Sequence, residues 1–213
     1  MIEKKILTKV NEIVKKELIG EASGHDYWHC ARVAKQAEKI GKKLKANTFV
    51  LKLAGFLHDI TSKKERSNHN LTGAREAKKI LVALGVDKKI IKKVKKCILN
   101  HRYTGEKKTK LSLEEKIIQD ADKLDVLGAV GIARIFAFAG KYNISAHEPG
   151  VKPDPKKYFK LGYGTTAINL FAEKIFLLKP LFHTRQAQEI AKKREAYMRG
   201  FIKKFYSEWE GKE

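Results

Sequence analysis

Apolar residues recur three and four positions apart along almost the whole chain, and that spacing commits it to helices. Ile6, Val10, Ile13, Val14 and Leu18 open the pattern, and Gly20 stops it. A second run starts near Asp26 and passes through Ala31, Val33, Ala34, Ala37 and Ile40 to Gly41. A third starts at about Asn47 and carries Val50, Leu53, Ala54 and Leu57. Residues 61–70 are polar and charged and read as a loop. Leu71 to Leu84 is helical again, closed by Gly85, and Asp87 caps a helix bearing Ile90, Ile91, Val94 and Ile98. Ser112 and Glu115 form a capping-box pair ahead of a long helix through Ile117, Ile118, Ala121, Leu124 and onward. Two more helices are expected over 166–178 and 184–209. No strand pattern competes, so the expected fold class is all-α.

The chain of 213 residues suits a single domain over 1–213, and 43% hydrophobic residues are enough to build its core. Three of the four prolines fall in residues 141–165, the one real loop excursion. The segment after it is short for a core of its own, so its helices are expected to pack back on the first part. The N-terminus alternates apolar and charged residues with no apolar h-region, unlike a signal peptide. The most apolar stretch, Val126 to Gly140, is interrupted by Arg134 and reads as a buried helix, not a membrane span. Cys30 and Cys97 lie in separate helical patterns and are expected as buried thiols of a cytoplasmic protein.

Charge narrows the partners. The formal net charge is +22, from 46 Lys and Arg against 24 Asp and Glu. This fits a nucleic-acid binder, an enzyme for anionic substrates, or a Lys-rich surface with no special partner. Lys dominates over Arg, the better base reader, which disfavours nucleic acid. Between Asp87 and Lys110, ten basic residues face only Asp87 and Glu106.

Several acids and histidines stand out against this background. His58-Asp59 closes an apolar helix, where the backbone turns and both side chains can converge on one metal. A dipole-stabilised His at a helix end is the plainer reading. His29 falls one turn into its helix beside Val33, where a hydrogen-bonded core histidine is the alternative. Asp122 shares a helix face with Ile118, and an acid there is costly unless a Lys or a metal pairs with it.

Taken in order with their flanks, these residues resemble the HD superfamily of metal-dependent phosphohydrolases, closest to its stand-alone uncharacterised members. The flanks are GHDYWHCARV, AGFLHDI, HNLTGAREAKKIL, CILNHR and KIIQDADKLDVLGAVGIARIF, and the similarity runs on to the last helix. The resemblance implies an HD-domain helical bundle with additional C-terminal helices. It implies that His29, His58, Asp59 and Asp122 are metal ligands, with Asp59 also beside the attacking water. His69 and His101 then belong either to a second metal site or to phosphate binding. Arg32, Lys63 and Arg102 are candidate phosphate groups, and Asp120, Asp125 and Glu76 are candidates to orient the histidines. Relatives often carry Gly-Lys or an acid near 61–63, where this chain has Thr61, Ser62 and Lys63, so no general acid is assigned.

The implied activity is hydrolysis of a phosphate ester or anhydride of a nucleotide or similar small anion. The implied cofactor is a divalent transition metal, manganese first, with Fe, Co, Ni, Zn or Mg as alternatives. A di-iron oxygenase, a nuclease and a nucleic-acid-binding module are the competing functions.

Overall fold

The computed structural model describes residues 2–65, 68–102, 110–156 and 164–212. Among them the helices are α1 (Ile2–Leu18), α2 (Tyr27–Lys43), α3 (Thr48–Leu57), α4 (His69–Ala83), α5 (Lys88–Leu99), α6 (Leu113–Asp125) and α7 (Gly128–Lys141). A short α8 (Asn169–Glu173), a 3₁₀ helix (Ile175–Leu181) and α9 (Arg185–Trp209) follow. The described residues contain no strand, and the protein is all-α. None of these helices is long and apolar enough to cross a membrane.

Two compact units are present, one of residues 1–21 and 25–122, the other of 22–24 and 123–213. The division falls inside α6, after Asp122, and not at the Pro-rich excursion.

In the first unit the caps do what their residue types allow. Asp26 accepts from the His29 backbone N–H at 2.8 Å, and Asn47 accepts from that of Val50. Each such cap is worth about 1 kcal/mol by satisfying a helix-end donor. The Ser112–Glu115 capping box forms in both directions. Burial would raise the Glu115 carboxyl, but hydrogen bonds from Ser112 and Asn100 outweigh it and hold the pKa below its ordinary value.

Helices α2 and α3 pack closely because Gly55 faces Ala34. A Cβ at Gly55 would stand 2.5 Å from the Ala34 Cα and 2.7 Å from its backbone N. Val33, Ala34, Ala37 and Ile40 of α2 and Val50, Leu53, Ala54 and Leu57 of α3 are almost fully buried. Ile91, Val94, Cys97 and Ile98 supply the buried face of α5, while Ile90, expected with them, is only half-buried.

Two boundaries differ from expectation. α4 starts at His69, two residues earlier than the polar segment suggested, so His69 lies in the first helical turn. The helix through Leu124 does not run on. It ends at Asp125, Leu127 is extended, and Gly128 takes φ +78°, a left-handed conformation suited to glycine. A fresh helix, α7, starts there.

In the second unit, Arg134 is buried and pairs with Asp125 at 2.9 Å, while its Nε donates to the Gly24 carbonyl. That pairing is what makes a cation tolerable in the most apolar stretch of the chain. Glu173, fully buried, accepts from the backbone of Asp154 and from both backbone and hydroxyl of Thr165. It thus ties the middle of the excursion to its C-terminal end.

Candidate metal centre

Six predicted residues of the first unit converge. α2 brings His29, the C-terminal end of α3 brings His58 and Asp59, the first residue of α4 is His69, His101 follows α5, and Asp122 lies on α6. The four histidines and Asp59 are buried, while the Asp122 side chain keeps 29% of its exposure.

The donors fall into two sets that share one carboxylate. His29 Nε2 lies 3.1 Å from His58 Nε2, 3.6 Å from Asp59 Oδ2 and 3.4 Å from Asp122 Oδ1. His58 Nε2 lies 3.7 Å from Asp59 Oδ2 and 3.9 Å from Asp122 Oδ1. On the other side, Asp59 Oδ1 is 3.1 Å from His69 Nε2 and 3.6 Å from His101 Nε2, and those two nitrogens are 3.1 Å apart.

These residues fit a metal on three counts. Ligands about 2.1 Å from one ion stand about 3.0 to 3.5 Å from each other, close to the spacings found here. The ring orientation also fits. His58 Nδ1 lies 2.8 Å from the Gly55 carbonyl and His101 Nδ1 lies 2.6 Å from that of Ile98. A carbonyl only accepts, so both Nδ1 atoms carry a proton, and each ring turns its Nε2 toward the carboxylates. Thirdly, Asp59 Oδ1 is buried with no hydrogen-bond partner among the described residues. A buried carboxylate oxygen facing imidazole lone pairs needs a cation.

The electrostatics agree. Burial alone would raise the Asp59 carboxyl, but His58, His69, His29 and His101 hold it well below the ordinary carboxylate range. Burial opposes the Asp122 carboxyl in the same way, and the hydrogen bond to His29 with the neighbouring His58 and His101 hold it low. Burial, helped by charge on His58, pushes His101 down to about 4. Two permanent carboxylates and a neutral His101 make a donor set for a divalent ion.

The outlying candidates sit elsewhere. Lys63 donates its ammonium to the Ile19 carbonyl at 2.8 Å. Glu76 pairs with Lys79, and Asp125 with Arg134, while backbone carbonyls orient His58 and His101. Asp120 is fully buried. Arg32 is half-buried on α2, and Arg102 is exposed directly after His101. The α5 lysines 88, 89, 92, 93 and 96 form an exposed face. With Lys78, Val82 and Ile91, some of them line a groove of about 430 Å³ that includes none of the metal donors. Cys30 and Cys97 are both buried, and neither forms a disulfide.

Comparisons with known proteins show the family. The HD domain family profile matches residues 27–127, from the start of α2 to just past α6. The uncharacterized protein YpgQ of Bacillus subtilis is 35% identical over 206 residues, which covers 95% of this chain and 93% of YpgQ. The chain belongs to the HD-domain family. The crystal structure of YpgQ in complex with ADP aligns with a TM-score of 0.75 and 32% identity, covering 98% of this chain and 97% of that one. A Bacillus thuringiensis structure described as an HD-superfamily hydrolase aligns with a TM-score of 0.72 and 33% identity, covering 98% and 96%. A Lactobacillus plantarum structure aligns with a TM-score of 0.81 at 29% identity, covering 98% of each chain.

Proposed function

We propose that this HD protein is a metal-dependent phosphohydrolase that cleaves a phosphate ester or anhydride of a nucleotide or similar small anion. The observation that carries the reading is Asp59, whose two oxygens face two separate histidine pairs. His29, His58 and Asp59 would hold one divalent metal, with Asp122 beside the two histidines as a fourth donor, and Asp59, His69 and His101 a second. Such an ion acidifies water and offsets charge on a phosphoryl oxygen. The imidazole and carboxylate donors suit manganese, iron, cobalt, nickel or zinc, with magnesium the poorest match to so many nitrogens.

The chain's own residues then have distinct tasks. The Gly55 and Ile98 carbonyls hold two rings with their lone pairs inward. Asp59 is fixed between both donor sets, beside the position where water attacks. Arg102, exposed one residue beyond His101, is the candidate to fork onto a substrate phosphate. The net charge of +22 raises the local concentration of any anion. The ADP held by YpgQ supports a nucleotide as the substrate class.

The test is a panel of nucleoside mono-, di- and triphosphates, cyclic nucleotides and single-stranded DNA, each with Mn, Co, Ni and Mg. Phosphate or pyrophosphate release is expected with a transition metal, greatest with manganese and on free nucleotides. Stripping the protein with a chelator should end that activity and lower Tm, because a ligand at 100 times its Kd stabilises by about 2.7 kcal/mol. Faster cleavage of DNA than of nucleotides would favour a nuclease. The four-His, two-Asp set also suits a di-iron oxygenase; two irons per chain with no phosphate release would replace the hydrolase reading.

A further inference from the structure

The two donor sets are held in different ways. His29 stands on α2 and His58 directly follows α3, and the apolar faces of these two helices lock together across Gly55 and Ala34. His69 and His101 sit where α4 begins and just past the end of α5, and polar side chains hold them there. The Thr61 hydroxyl donates to the His69 carbonyl at 3.3 Å and bonds the Thr72 hydroxyl at 2.9 Å. The side chain of Asn70, next to His69, donates to the Leu99 carbonyl at 3.2 Å, two residues before His101. Asn70 therefore ties the His69 segment directly to the His101 segment. Asn100 is clamped to α6 from both ends. Its carbonyl accepts from Gln119 at 2.6 Å, and its amide donates to Glu115.

We infer that Thr61 and Asn70 are positioning residues of the second metal pocket, and that this pocket can be lost while the first is kept. The inference rests on the two-pocket reading above. Its physical basis is geometric. The Thr61 and Asn70 side chains bond backbone carbonyls at His69 and at Leu99, and metal affinity depends on where the ring sits. Removing a group that orients a ligand typically weakens metal binding about 10- to 100-fold. Thr61 bonds the His69 carbonyl and Asn70 the Leu99 carbonyl, both in segments that carry second-pocket histidines. The hydrogen bonds of Thr61 and Asn70 given above reach neither His29 nor His58.

The experiment is a manganese titration of metal-stripped protein, followed by the electron paramagnetic signal of free manganese, for wild type, Thr61→Val, Thr61→Ser and Asn70→Ala. Wild type should bind two ions per chain. In Thr61→Val and Asn70→Ala the first should bind as in wild type and the second about 10- to 100-fold more weakly. Thr61→Ser keeps the hydroxyl and should restore the second ion. Thr61 and Asn70 are both half-buried, so neither change opens the core, and the first ion serves as an internal check on folding. Parallel weakening of both ions would mark a general structural role and overturn the proposal. Two ions bound at wild-type affinity in both variants would overturn it as well. One ion per chain in wild type would instead overturn the two-pocket reading itself.

Discussion

Replacing Asp59 with Ala should abolish metal-dependent phosphate release and empty both metal pockets together. Among the described residues Asp59 alone joins both donor sets: Oδ2 faces His29 and His58, and Oδ1 faces His69 and His101. Removing a group behind a ligand costs about 10- to 100-fold. Loss of a shared ligand should exceed that, so kcat/KM is expected to fall by more than about 100-fold. The variant should still fold, because Ala relieves a buried carboxylate that has one unsatisfied oxygen. Far-UV circular dichroism alongside metal content and phosphate release checks all three statements. Full activity in Asp59→Ala would remove the site assignment.

The second large effect is expected from a single methyl group outside the donor set. Gly55→Ala places a Cβ 2.5 Å from the Ala34 Cα, a backbone atom that cannot rotate away. α2 and α3 must separate, at a cost near the upper end for overpacked cores, about 3 kcal/mol. Those helices carry His29 and His58, and the Gly55 carbonyl holds the His58 ring. The variant should therefore lose stability and first-pocket metal affinity in step, seen as a lower Tm and a weaker manganese isotherm. A wild-type Tm would show that α2 tolerates the shift.

Much of this architecture is legible from local chemistry. Asp26, Asn47, Asp87, Ser112 and Glu115 mark helix starts because a side-chain acceptor next to a helical run has few better uses. The donors are legible as an ordered set only through the resemblance to the HD superfamily, since His29, His58-Asp59 and Asp122 each also admit a plainer structural role. What was not legible depends on contacts distant in sequence. The end of α6 follows from the turn at Leu127–Gly128, although the apolar spacing continues unbroken through it. Glu76 was a candidate to orient a histidine by position, yet it pairs with Lys79. Carbonyls of Gly55 and Ile98 do the orienting, and no side-chain pattern encodes a carbonyl. Thr61, Asn70 and Gln119 carry no spacing signal either; their partners lie 8, 29 and 19 residues away.

The central claim is that Asp59 bridges two metal-donor sets. Crystals of the protein grown with saturating manganese, measured for anomalous scattering, test it directly. The account predicts two anomalous peaks, one on each side of the Asp59 carboxylate, the first bounded by His29, His58 and Asp122 and the second by His69 and His101. No peak within coordination distance of Asp59 would contradict it.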